Sequence, residues 1–461
     1  MRALKLLLAV VLLSAATPAP QPNAVVLRGA TLVDVSGSDS SVHDLNDAVV
    51  VMRGGTIEAV GPAARVSLPP GARVIDVSGA YIVPGLHDVF ATVNNQAQAN
   101  AFLYMGVTSI VGLDEPGGRR GPLFLKAIPG PRVYPLEVIT GYDESSLPDG
   151  PCTIDEMMTK GRRMSAPELR VKVDRLAARG VKVLLLYYSL APDQVRTIAD
   201  YARTRGLATI GELGATTYSE AIEAGVMAFV HTSRYSLDLA PKPLRDKVAR
   251  APFGPPRRLF YEHLAKLTAN DPGLEQHART LATRRAALIP TMAMNYLELP
   301  GHRNPWREPV AVLLDPADIH LPANRDTGEQ ERPADGVRDA FPPGATANLQ
   351  MIEHVYCKAG ATYLAGSGTD AFGTMAGISL HTELAMLVKA GLTPRQALAA
   401  ATANVGARFG WPVGELKPGV AADLLVLDAN PTVDIANLKR IRHVVLGGEL
   451  LDRASLLRRP E

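Results

Sequence analysis

Three side chains able to handle a metal or a proton stand at the ends of short apolar runs. Glu212 closes Leu207–Glu212, His231 closes Ala228–His231, and Asp370 ends Gly366-Ser367-Gly368-Thr369-Asp370 just after the run Thr362–Ala365. One imidazole and two carboxylates can hold a single Zn²⁺, Mn²⁺ or Fe²⁺. Without metal, Asp370 and His231 can serve as acid and base. Tyr187 and Tyr188 end another run, and Arg234 and Tyr235 follow His231. A guanidinium and aromatic rings suit a substrate carboxylate or ring. The plainer alternative makes these rim residues, with Glu212 paired to an arginine such as Arg234 and His231 a hydrogen-bonded pocket residue.

Such residues converge only if the elements beneath them converge. The middle of the chain alternates short apolar runs with helical segments: Ala80–Val89, Gly106–Leu113, Arg132–Ile139, Val181–Tyr187, Leu207–Glu212, Ala228–His231, Ala286–Thr291 and Thr362–Ala365. Helix starts are marked by Ser165-Ala166-Pro167-Glu168 and Thr393-Pro394-Arg395-Gln396, each a capping box with proline in the first turn. The alternation predicts an α/β fold, a (β/α)₈ barrel over residues 81–411, whose chemistry lies at the C-terminal ends of the strands. Residues 24–80 and 412–461 read instead as short strands punctuated by glycine, and neither piece can bury a face alone. They are expected to combine into one small β-sandwich. Residues 295–345, rich in Pro, Arg, Asp and Gly, follow the seventh run and are expected to form a lid over the barrel mouth. His320 lies in that segment.

The ends and the composition set the context. Arg2 and Lys5, the apolar run Leu6–Leu13 and the small residues Ser14-Ala15-Ala16 read as a signal peptide over residues 1–23, which implies a secreted or periplasmic protein. The apolar run is well short of the roughly 20 residues needed to span a bilayer. With 461 residues, 47% of them apolar, the chain can bury a large core. A net charge of +2 without basic runs gives no nucleic-acid or membrane-surface signature and leaves, by default, a small-molecule or peptide partner, with a homo-oligomer open. Cys152 and Cys357 fit no Cys-x-x-Cys pattern, and in an exported protein their pairing stays open.

Three stretches carry a resemblance to a known family. Pro84-Gly85-Leu86-His87-Asp88 leads into the barrel. Gly377–Gly410, with His381-Thr382-Glu383-Leu384 and Ala390-Gly391-Leu392-Thr393-Pro394, is similar to the end of an amidohydrolase barrel. Gly414–Leu427 is similar to the return into the β-domain. The chain thus resembles the amidohydrolase superfamily, in its imidazolonepropionase-like and Xaa-Pro-dipeptidase-like branch. The resemblance implies one or two divalent metals that activate water and polarise a carbonyl. The implied ligands are a His-x-His pair ending strand 1, a carboxylated lysine on strand 4, histidines on strands 5 and 6 and an aspartate on strand 8, which also takes the proton from water.

At those positions the chain departs from the pattern. The His-x-His pair falls on Phe90-Ala91-Thr92, the lysine on Leu185, and the strand-5 histidine on Glu212, or on Gly211 if the match slips by one. The strand-6 histidine is His231 and the strand-8 aspartate is Asp370. Val111-Gly112 replaces the family's Arg-Asp. Lys182 stands at the start of its strand, on the wrong side of the alternation to replace the lost lysine. His87 reads as a partly buried linker residue and His381 as a helix-packing residue. Three functions follow as expectations. One is hydrolysis of a C–N bond in a small amide or dipeptide-like substrate with a reduced metal centre. The second is a catalytically inactive barrel that binds a small molecule or partner. The third is a metal-free lyase or isomerase using Asp370 and His231.

Overall fold

Strand β1 (Val25–Leu32) opens a sheet built from both chain ends. It pairs antiparallel with β2 (Leu45–Arg53), which pairs with β3 (Thr56–Pro62). Its first half also pairs in parallel with β4 (Arg73–Asp76) and its second half with β5 (Tyr81–Pro84). The computed structural model describes residues 23–36, 43–114, 128–143, 160–252, 254–331, 345–369 and 371–460. Asp370, Cys152 and all but the last residue of the expected leader lie outside them.

The barrel follows: β6 (Leu86–Ala91), β7 (Val107–Asp114), β8 (Arg132–Ile139), then, after an antiparallel pair of two-residue strands, β9 (Tyr142–Asp143) and β10 (Arg162–Arg163), β11 (Val183–Leu186), β12 (Ala208–Gly211), β13 (Ala228–Val230), β14 (Ala287–Ile289) and β15 (Thr362–Tyr363). These eight form one parallel sheet ordered β6-β7-β8-β11-β12-β13-β14-β15. Hydrogen bonds tie its first strand to its last: Val89 N to Ala365 O (3.0 Å), Gly368 N to Phe90 O (2.8 Å) and Thr92 N to Thr369 O (2.7 Å). The sheet thereby curls into a TIM-like barrel. Strands wrapped by helices are buried on both faces, so β11 reads Val-Leu-Leu-Leu with no polar alternation.

Every apolar run assigned to the barrel contains one of these strands, with one division. Ala80–Val89 splits at Gly85, so β5 joins the chain-end sheet and β6 starts the barrel. Gly85 donates to Asp423 O at 2.9 Å, and a Cβ there would fall 2.1 Å from Thr108 Oγ1. Only glycine allows the two sheets to meet so closely. The chain returns through β16 (Leu424–Leu427), β17 (Ile441–Leu446) and β18 (Glu449–Leu450), with β16 antiparallel to β5. In hydrogen-bonding terms the two ends form one branched eight-stranded sheet, ordered β18-β17-β16-β5-β1-β2-β3 with β4 on β1. Leu27, Val50, Met52, Ile82, Leu424 and Val426 are fully buried in its core.

Both marked helix starts are present. At Thr393 the box is reciprocal, with Gln396 N donating to Thr393 Oγ1 (3.2 Å) and Thr393 N to Gln396 Oε1 (2.9 Å). At Ser165 the backbone N–H is held by Glu168 at 2.7 Å. The described part of the segment after β14 is a chain of short 3₁₀ turns rather than open loop. It is tied to itself through Trp306 Nε1 to Ala323 O (2.6 Å) and buries Val310, Leu313 and Leu314. Among the described residues no helix is long and apolar enough to cross a membrane.

Candidate active site

Alternation along the barrel strands decides what faces inward. Val89, Val111, Leu136, Val183, Leu185, Ala208, Ile210, Ala228, Val230, Ala287 and Ile289 share one apolar cluster inside the barrel. Glu212 is the next inward position after Ala208 and Ile210, and its N–H extends the ladder to Leu186 O at 2.8 Å. The alternative match, Gly211, offers no side chain. Leu185 is 1% exposed and packed inward, where the implied lysine would stand. Lys182 is exposed at the strand start.

Strands β13 and β14 end alike. His231 lies at φ 55, ψ 44 and Thr291 at φ 52, ψ 39, both left-handed and neither glycine. Non-glycine residues avoid that region, and its use concentrates where a side chain must be aimed. Two buried carboxylates brace these turns. Glu353 accepts Ser233 N (2.9 Å) and the Thr232 hydroxyl (2.5 Å), and Glu383 accepts Ala293 N (2.8 Å). His231 Nδ1 meets Thr291 Oγ1 at 2.5 Å, while that hydroxyl also reaches Pro290 O at 2.6 Å. A carbonyl cannot donate, so the hydroxyl donates to it and Nδ1–H donates to the hydroxyl. Nε2 therefore keeps its lone pair, and it lies 3.6 Å from Glu212 Oε1.

Both groups favour their neutral forms. Burial lowers the His231 imidazole to about 3, with Arg234 acting in the same direction. Burial raises Glu212 to about 8, opposed by the nearby Arg234 and Arg257 guanidinium groups. At neutral pH the pair is a carboxylic acid facing an unprotonated imidazole, the disposition of a proton donor and acceptor.

Phe90, at the first implied His-x-His position, sets its ring edge-on to the His231 imidazole, with centroids 5.3 Å apart at 86°. The register of β6 against β7 breaks between Asp88 and Ala91, which places Phe90 beside the barrel interior. Thr92 donates its hydroxyl to Thr369 O at 2.9 Å. These residues do not fit a two-metal centre. An aromatic ring and an aliphatic side chain occupy positions that would need donors, and two guanidinium cations flank the remaining carboxylate. Among the described residues no group of three or more His, Cys, Asp or Glu gathers as a metal site. Asp370, the third member of the expected Glu212–His231–Asp370 set, lies outside those residues.

The expected binding residues do come together. Tyr187 packs on Tyr188 (4.9 Å), and Tyr188 on Tyr235 (4.7 Å), which in turn contacts His231 (5.4 Å). Arg234, 8% exposed, lies over the Tyr235, Tyr261 and Phe372 rings and lines a small cavity beside His231, Thr291 and Met294. That cavity measures about 10 Å³, room for about one water.

Sequence reasoning missed Arg257. It is 2% exposed, bonds to Pro252 O (3.0 Å) and Gly214 O (3.3 Å), and lies over the Tyr188 and Tyr235 rings. Its signal was the aromatic pair Phe260-Tyr261 three and four residues on, the same helix face. Thr291, Glu353 and Glu383 were also given no role. His87 is more buried than a linker residue, 4% exposed and bonded to the Ser109 hydroxyl, and burial lowers it to about 4. His381 packs its helix, with Nε2 on Met105 O at 2.8 Å. His320 is exposed, its ring against Phe372 and its carbonyl accepting Gly373 N at 2.9 Å, so the long segment does touch the loop after β15.

Known proteins resemble the chain at two levels. In solved structures, a Xaa-Pro dipeptidase with bound methionine in its active site superposes with a TM-score of 0.63 at 15% identity, covering 93% of this chain and 100% of the other. Bottromycin amidohydrolase gives 0.62 at 19%, covering 96% and 92%. Both similarities concern the fold. In sequence, imidazolonepropionase of Deinococcus radiodurans is 40% identical over 73 residues, 16% of this chain and only 15% of that enzyme. Residues 320–451 match the model of the amidohydrolase family. The family match thus lies on residues 320–451, and the shared barrel carries the likeness to these proteins, as a fold, over nearly the whole chain.

Proposed function

We propose that the barrel mouth recognises a small amide or dipeptide-like molecule, and that this chain does not use the two-metal hydrolysis of the amidohydrolase superfamily it resembles. The observation that carries the reading is the Phe90 ring against His231, with Leu185 inward across the barrel. In this reading Arg234 meets the ligand carboxylate and Tyr187 and Tyr188 line its flank. The chain acts on, or holds, its ligand in the exported setting that the leader implies. The test pairs metal analysis of purified protein with calorimetric titration of a dipeptide and N-acyl amino acid panel, with and without chelator. We expect far less than about one metal per chain and ligand binding that chelation leaves unchanged. Near-stoichiometric metal, with amide hydrolysis that chelation abolishes, would sink the proposal.

A second reading rests on a different observation, the 3.6 Å approach of Glu212 Oε1 to His231 Nε2. These two, with Asp370, supply the donors for a single divalent ion and a hydrolase with a reduced centre, or the acid and base of a metal-free lyase or isomerase. Under either form Asp370→Asn stops turnover of an amide panel while the fold, followed by circular dichroism, is retained. Metal dependence of that turnover separates the two forms.

A further inference from the structure

A cavity of about 290 Å³ opens where the segment after β14, the helix Ile378–Ala390 and the 3₁₀ turn Ile435–Lys439 meet. It shares no lining residue with the small cavity beside His231. Its size lies at the lower end of the roughly 300–1,000 Å³ typical of small-ligand sites. The helix presents Ile378, His381, Thr382 and Ala385 to it, the i, i+3, i+4, i+7 face.

His381 is the built element of this site. It is 6% exposed, and its Nε2 faces the Met105 carbonyl at 2.8 Å. The carbonyl only accepts, so Nε2 carries the proton and Nδ1 is left with a lone pair. Nδ1 has no partner among the described residues, and burial keeps the ring neutral by lowering it to about 4. An imidazole nitrogen with a free lone pair at a cavity wall can accept a hydrogen bond from a donor inside the cavity.

The charges at the rim narrow the choice. Four ionic side chains line the cavity: Arg303, Lys439, Glu308 and Asp434. Lys439 and Glu308 pair with each other. Arg303 has no ion pair among the described residues. Asp434 uses Oδ1 to cap Ala436 N at 2.9 Å and likewise has no cationic partner there. The cavity thus offers one uncommitted cation, one uncommitted anion and one neutral acceptor, beside the apolar surfaces of Ile378, Ile435 and the Tyr296 ring. A single positive or negative ligand would leave one rim charge unanswered, whereas a zwitterion answers both.

We propose that this cavity binds a free α-amino acid with an apolar side chain: carboxylate on Arg303, ammonium between Asp434 and His381 Nδ1, side chain against Ile378 and Ile435. The site joins the barrel, its long 3₁₀ segment and the chain-end sheet, so occupancy would tie all three together.

The experiment titrates the purified full chain with L-leucine, L-methionine and L-phenylalanine, followed by calorimetry and thermal unfolding. 4-Methylpentanoate and isoamylamine serve as controls that each lack one charge. We expect at least one amino acid to bind and raise the Tm while neither control does. Arg303→Gln, at an exposed side chain, should weaken binding by about tenfold or more, equivalent to about 1.4 kcal/mol. Ala385→Phe, at an exposed helix position, should block entry while leaving the unliganded Tm within about a degree. Absence of binding by all three amino acids at millimolar concentration overturns the proposal. So does binding that persists in both variants, which would place the amino acid elsewhere on the molecule.

Discussion

The two sides of the barrel mouth are built on opposite principles. On one side, strands β6 and β11 present Phe90 and Leu185, an aromatic ring and an aliphatic side chain held by packing. On the other, β12, β13 and β14 end in Glu212, His231 and Thr291, with two left-handed turns, buried carboxylates from two helices and two guanidinium groups. The first side is stabilised by removing apolar surface from water, which does not titrate with pH. The second keeps polar groups buried at a cost and recovers it through fixed hydrogen bonds. Within one barrel, packing can replace a donor where only cohesion is needed. Backbone strain persists where a nitrogen lone pair must be aimed.

The contrast can be broken first on its apolar side. Leu185→Ala should cost about 3 kcal/mol, from lost transfer energy and the space left in a closed barrel interior. Urea unfolding at pH 5 and at pH 9 should show the same loss at both. A loss that changed strongly with pH would mean that Leu185 is coupled to the ionisable side.

Glu212→Gln tests the polar side with the opposite signature. Glu212 titrates near 8 in the folded protein, against 4.5 for the ordinary group. A raised carboxyl contributes stability that is fully present below its unfolded value and is lost as pH rises through the folded one. At pH 5 the glutamine variant should match the parent within about 0.5 kcal/mol. At pH 9 it should be the more stable of the two by on the order of 4 kcal/mol, because the parent must then ionise a buried group. Equal stability differences at both pH values would show that Glu212 is an ordinary ionised carboxylate. The smallest effect is expected from Thr291→Ala, about 1–2 kcal/mol for the hydroxyl's two hydrogen bonds, to His231 Nδ1 and Pro290 O. Its sharper readout is the His231 ring by NMR, which should lose its fixed tautomer while the fold remains.

Much of this was legible in the sequence. Barrel strands are apolar on both faces, so their runs stand out, and a polar residue ending such a run, as at Glu212 or His231, already points at the mouth. Phe90 and Leu185 were visible as substitutions only because the family resemblance, anchored at Pro84–Asp88, puts its implied ligand positions on them; the uniformly apolar run Val183–Leu186 shows no register of its own. Gly85 was not seen as a boundary, since β5 and β6 read as one apolar run and only the close approach of Thr108 divides them. Arg257 escaped because it stands next to Arg258, which is exposed, and one-dimensional spacing does not separate a buried guanidinium from a solvated one. The long segment after β14 looked like open loop because 3₁₀ turns lack the periodicity that marks longer helices.

The Phe90 ring has one more consequence. It sits on the seam where the first and last barrel strands join, a closure resting on a few hydrogen bonds and a last strand of two residues. Where strands are tied by a bound ion, the integrity of the ring follows the supply of that ion, because binding free energy is folding free energy. A phenyl group fastening the same seam draws on nothing outside the chain. The closure at Phe90 should therefore hold in the presence of a chelator.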